Sequence, residues 1–200
     1  EKKFGETSIV FDGTGDYLSL PDSTDWDFDT GDWTVECWMK PTVQGVEALF
    51  EFGAYNGGGI LALFQNTSDN DITFYVDYGG SGGQIAVDGT TAGISLDAWT
   101  HVALVHDSGT VTVYINGTSA GSLSATPDIS PGTRTFKIGT AVHGSYDFTG
   151  YLDDVRITKG LAVYTGAFTA PTSALTTTWD ADDGIAANTD ASKVELLIHG

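Results

Sequence analysis

The chain has 200 residues, a length suited to one domain or at most two. Asp and Glu number 27 against 8 Lys and Arg, a formal net charge of −19. That balance excludes DNA, RNA, heparin and anionic membranes as partners, because each is held through clustered cations. One cysteine, Cys37, excludes an intrachain disulfide, and no apolar run is long enough to span a membrane.

The 26 glycines, with abundant Thr, Ser and Asp, make a poor helix former. Short β-branched and aromatic runs recur about every 8–12 residues between Gly, Asp and Asn clusters, which predicts an all-β sandwich or barrel. In chain order the expected strands are 8–11, 16–20, 33–40, 47–52, 59–65, 72–78, 84–88, 99–106, 110–116, 118–123, 134–139 and 148–158. In 33–40, alternation puts Trp33, Val35, Cys37 and Met39 on one face and Thr34, Glu36, Trp38 and Lys40 on the other. In 110–116, Val111, Val113 and Ile115 oppose Thr110, Thr112, Tyr114 and Asn116. Asn116-Gly117, between two such runs, predicts a tight hairpin, since both positions tolerate positive φ. Segments 59–65 and 99–106 are apolar on both faces and read as covered central strands.

Beyond Thr158 the pattern fades. Residues 159–178 read as an arm or short helix packed on the sandwich, 179–192 as a polar linker, and 193–200 as one more strand. That strand is apolar enough to require pairing with a sheet, and the region of Ile9 to Phe11 is its expected partner. No basic–apolar leader opens the chain and it does not start with Met, the pattern of a fragment or processed piece.

Seven segments in order carry a family resemblance: SIVFDGTGDYLSLP, DWTVECWMKP, LFEFG, WTHVALVHD, VTVYINGTSAGS, FKIGT and FTGYLDDVRITKGLAVYTGAF. Together they resemble the laminin-G-like, concanavalin-A-like jelly roll over residues 8–158. The tail from DDVRITKG to TSAL is similar to those following such domains in phage tail fibres and large bacterial surface proteins. The resemblance implies an antiparallel jelly-roll β-sandwich over 1–178, with 193–200 completing this module or opening the next. It also implies an extracellular or virion setting.

Several carboxylates are candidates for a metal. With Val155 and Ile157 inward, strict alternation turns Asp153 inward too, and a buried carboxylate needs a partner. In related glucanases and lectin-like domains a matching Asp holds a structural calcium. The resemblance therefore implies Ca²⁺ at Asp153, with Asp12 and Asp16 as further ligands. The bland alternative is that Asp12 and Asp16 form turns and Asp153 accepts backbone N–H bonds. The Asp-rich stretch 22–32 lacks EF-hand spacing and reads as a loop with Trp26 and Phe28 packed inward.

Other residues are suited to sugar. Tyr55, Asn56, Asp77, Tyr78, Tyr146 and Asp147 suit a glycan, which presents an apolar face to an aromatic ring and hydroxyls to amides and carboxylates. No E-x-D-x-x-E or E-x-D-x-E triplet of the glucanases occurs. Glu47 and Glu51 on one strand face would stand roughly 13 Å apart, beyond the roughly 5–9.5 Å between glycosidase carboxyls. His101 and His106 fall on opposite faces of one strand and cannot share a metal. The expected function is non-catalytic recognition of a glycan or cell-surface polysaccharide, with a fibre or stalk spacer built of copies of the chain as the alternative.

Overall fold

The computed structural model describes residues 1–52, 71–76, 83–127, 129, 135–141 and 146–200, and the backbone of 60–65. Two antiparallel sheets face each other. The seven-stranded sheet runs in the order β1 (Ile9–Asp12), β12 (Thr149–Lys159), β3 (Trp33–Pro41), β8 (Thr100–Asp107), β9 (Thr110–Ile115) and β10 (Thr118–Ser124). β13 (Val194–Ile198) pairs with β12 as well. The six-stranded sheet runs β2 (Leu18–Leu20), β11 (Phe136–Ile138), β4 (Val46–Phe52), β5 (Ile60–Gln65), β6 (Asp71–Val76) and β7 (Gly83–Val87). A four-residue helix, α1 (Gly89–Ala92), is capped by Asp88 and ends at left-handed Gly93.

The pleat builds the core. Trp33, Val35, Cys37 and Met39 of β3 and Val111, Val113 and Ile115 of β9 point inward, meeting Phe50, Phe52, Phe74 and Phe136 from the other sheet. Trp26 stacks on Phe136 and Phe28 on Trp33 and Phe52, so the Asp-rich loop is anchored by its aromatics. Asn116 and Gly117 both take positive φ, and Thr118 returns opposite Ile115, as the hairpin requires.

The outer face of the seven-stranded sheet is covered over β12, β3 and β8, while β10 stays largely exposed. β3 is buried along its whole length and β8 all but its last residue. Residues 161–168, Trp179 and Ile185 pack on Ala103, Val105 and Tyr114. Phe4 stands edge-on to Trp38. Residues 179–192 are not an extended linker. Trp179 bridges Asn188, Ile185 bridges Tyr164, and Asn188 is buried, because Asp182 and Gly184 turn the chain back on the arm.

The closing strand lies in this module's own sheet, but beside β12 rather than beside β1. Ile198 pairs with Val155 and Ile9 with Leu152, so β13 and β1 lie end to end on one edge, with Gly200 against Ser8.

Two further sequence readings fail at β-bulges, where one extra residue flips the phase of the strand. Between Asp153 and Arg156 the register of β12 shifts, and Asp154 takes φ 48. Leu152, Val155 and Ile157 therefore face the core, while Asp153, opposite Trp38, faces outward. A second shift between Ala48 and Phe50 separates Glu47 from Glu51. Glu51 faces outward, whereas Glu47 reaches between the sheets to Thr149.

Candidate functional site

The outer face of the six-stranded sheet is exposed toward β2 and β7, while Ala48, Glu51 and Thr73 in its middle are buried. Its exposure alternates: Phe136 and Ile138 are buried with Lys137 between them, and Ile85 and Val87 are buried while Gln84 and Ala86 are exposed. Strand register aligns Ser19, Lys137 and Glu51 in one row, and Tyr75 opposite Gln84 in the continuation of that row across β5. The next row carries Ala48 and Thr73. Tyr75 packs over Ala48 and Ala141, and residues 139–141 and 146–148 lie at this face.

Those residues include the two predicted sugar contacts that are described. The Tyr146 carbonyl accepts from Ala48 N at 2.8 Å, fixing its backbone, and its side chain leaves the residue 37% exposed. Asp147 accepts from the Thr140 hydroxyl at 2.6 Å and from Gly15 N at 2.9 Å. Those bonds, with Lys137 adding its charge, hold the Asp147 carboxyl below the usual range. The Gly15 bond ties the 12–17 loop to this end of the sheet. It brings in Tyr17, 49% exposed, with Lys137 Nζ 4.5 Å from its ring centroid. Tyr17 does not stand out in the sequence, because a tyrosine inside an expected strand (16–20) is an ordinary residue until its neighbours are known. Tyr55, Asn56, Asp77 and Tyr78 lie outside the described residues. The preceding Phe52 and Val76 stand at the end of the sheet opposite Tyr146.

The three expected metal ligands do not converge. Asp12 accepts from Thr14 N and Asp16 from Asp12 N, both as turn formers. Asp12 pairs with Thr149, four positions along β12 from Asp153. Asp153 is already filled by donors: Oδ2 accepts from Lys3 N (3.1 Å) and Phe4 N (3.2 Å), and Oδ1 from Asp154 N (2.9 Å) and Gly200 N (3.1 Å). No group of three or more His, Cys, Asp or Glu among the described residues is arranged to hold a metal.

Under the arm lies a buried ionic cluster that the sequence did not reveal. Glu36 Oε1 accepts from Arg156 Nε (2.8 Å) and Nη2 (2.6 Å). Its Oε2 accepts from the Tyr164 hydroxyl (2.6 Å) and lies 3.0 Å from His101 Nε2. An ionised carboxylate only accepts, so His101 donates through Nε2, which leaves Nδ1 without a partner. Burial alone pushes the Glu36 carboxyl up. The Arg156 charge, then His101 and Tyr164, outweigh it and set the value to about 2. The cluster is sealed and serves to dock the arm.

A family model described as the Concanavalin A-like lectin/glucanases superfamily matches residues 12–171. The chain is 27% identical over 130 residues to Adhesion G-protein coupled receptor V1 of Danio rerio, covering 62% of this chain but 2% of the receptor's length. Among solved structures it is similar to domain 4 of AbnA, a GH43 extracellular arabinanase from Geobacillus stearothermophilus, in complex with arabinotriose. There the identity is 24% and the TM-score 0.58, over 78% of this chain and 71% of that one. It is also similar to domains LG4-5 of the mouse laminin α1 chain, at 15% identity and TM-score 0.57, over 84% of this chain and 46% of that one. No helix among the described residues is long and apolar enough to cross a membrane.

Proposed function

The chain belongs to the Concanavalin A-like lectin/glucanases superfamily, and we propose that it is a non-catalytic, extracellular recognition module that binds glycan at one exposed end of the outer face of its six-stranded sheet. The observation carrying this reading is the pair of exposed tyrosines, Tyr17 and Tyr146, held at one end of that face with Lys137 and Asp147 beside them. The Tyr146 backbone is held by Ala48 and the Tyr17 ring lies under Lys137, so the two rings present flat apolar surface with charged groups placed for hydroxyls. The arabinotriose complex of the AbnA domain and the laminin likeness support the same reading.

Hydrolysis has little support, since the bulge in β4 puts Glu47 and Glu51 on opposite faces. The residues present do not fit a calcium at Asp153 either. Its carboxylate sits at the positive ends of four N–H dipoles, and a hard cation there would displace donors rather than join carbonyl oxygens. A virion or other surface appendage remains the proposed larger setting, on the sequence resemblance of the tail. The test is a glycan array followed by calorimetry on the intact chain. Tyr17→Ala and Tyr146→Ala are each expected to weaken binding about tenfold or more, with stability changed by less than about 0.5 kcal/mol. Absence of binding across the array would instead favour the spacer reading.

A further inference from the structure

The arm does more than cover the sheet. Its turns border three open hollows of about 340, 370 and 210 Å³. The first and second share Trp179 and Asp180, and the first and third share Thr169 and Asp182. They adjoin along the arm as an open groove, with Trp179 bordering the first two.

Trp179 is only half-buried, yet it is locked in place. Its Nε1 donates to the Ala186 carbonyl at 2.8 Å, and the Arg156 guanidinium lies 4.0 Å from its ring centroid. Arg156 is the one cation among the described residues lining the central hollow, and it is already committed. Its Nε and Nη2 bond Glu36, and its Nη1 donates to the Thr176 carbonyl at 3.0 Å. Among the described residues bordering the groove no cation is left to meet an anionic ligand. Asp180 and Asp182 are exposed along the groove and repel one.

We infer that this groove is a second glycan site, separate from the sheet-face site and selective for neutral oligosaccharides. The indole face turned away from Arg156 suits the C–H face of a sugar ring. Threonine hydroxyls, backbone carbonyls and the carboxylates of Asp180, Asp182 and Asp183 suit sugar hydroxyls, and together they reject uronic, sialic and sulfated sugars.

The experiment follows the ¹H–¹⁵N signal of the Trp179 indole in the intact chain, assigned by its loss in Trp179→Phe. Titrants are arabinohexaose, xylohexaose, mannohexaose and cellohexaose, with galacturonate hexasaccharide and hexalysine as charged controls. At least one neutral hexaose is expected to shift the signal saturably, and the galacturonate not at all. Asp180→Lys, at an exposed position, is expected to weaken the neutral sugar at least threefold and to admit the galacturonate. The same midpoint is expected in the Tyr17→Ala/Tyr146→Ala double variant, which separates this groove from the sheet-face site. No shift with any of the four neutral sugars, equal binding of the galacturonate by the unaltered chain, or tighter binding of hexalysine than of every sugar would overturn the assignment.

Discussion

Glu36→Gln is the substitution that most directly probes how the arm is held. The change is isosteric but removes the one negative charge that faces Arg156 in the cluster, leaving a buried guanidinium facing a neutral amide. Breaking a buried pair from one side costs about 3–5 kcal/mol, because the surviving charge is stranded. The same magnitude follows from protonation. The Glu36 carboxyl is set to about 2 in the fold, against 4.5 as its ordinary value, with burial opposing the shift and Arg156, His101 and Tyr164 driving it. A gap of that size is worth roughly 3 kcal/mol at about 1.36 kcal/mol per pH unit. A depressed carboxylate stabilises the fold above its unfolded value and loses that contribution as pH falls. The loss should therefore develop from about pH 4.5 down to about pH 2. Urea unfolding followed by tryptophan fluorescence gives the assay, run from pH 7 to pH 2. The unaltered chain should lose about 3 kcal/mol from this group over that window, and Glu36→Gln should start lower by about 3–5 kcal/mol and lack that component. A variant within about 1 kcal/mol of the parent at pH 7, with the same acid limb, would refute the cluster as the arm's anchor.

Two further outcomes follow from the geometry. Excess chelator should leave the melting temperature unchanged, since Asp153 is satisfied by backbone donors; a drop reversed by calcium would show that an ion is bound to the folded state. Cys37 is buried, and burial first, then the Glu36 charge, push its thiol up to about 12, so a thiol reagent should modify it only on unfolding.

Much of the fold was legible because it rests on local rules. Alternation in 33–40 and 110–116 assigned the inner faces correctly, and Asn116-Gly117 marked its turn. What could not be read depends on partners distant in sequence. Glu36 looked like an ordinary outward residue of β3, and only Arg156, His101 and Tyr164, brought over it by β12, β8 and the arm, make it a buried anchor. The bulges were invisible for a related reason. A period-2 pattern has no mark for an extra residue, and the apolar set Val155 and Ile157 fits either phase. Of the proposed sites, Tyr146 and Asp147 are candidates from their chemistry alone, whereas Tyr17 and Trp179 depend on loop closure and on the arm's turns.

The bulge in β12 also carries the last expectation. It turns Asp153 and Asp154 outward as adjacent buried carboxylates that hold separate parts of the chain. Asp153 takes Lys3 N, Phe4 N and Gly200 N, while Asp154 takes Leu175 N at 2.7 Å and the His199 ring. The arm and both chain ends thus converge on one irregularity. Asp153→Asn keeps the shape but puts an amide N–H₂ against N–H donors. Hydrogen bonds to a charged acceptor are worth about 1.5–3 kcal/mol each, so a loss of roughly 2–4 kcal/mol is expected after relaxation. Deleting residues 193–200 removes Leu196 and Ile198 from the core edge and the Gly200 and His199 contacts, and should cost a similar amount. If the clasp acts as a unit, the two changes share partners and cannot add. The deletion should cost less in the Asp153→Asn background, with a coupling of about 0.5–3 kcal/mol in a double-mutant cycle of urea unfolding. Costs that add within about 0.3 kcal/mol would mean that β13 is held by its ladder with β12 alone and that Asp153 serves only the N-terminal segment.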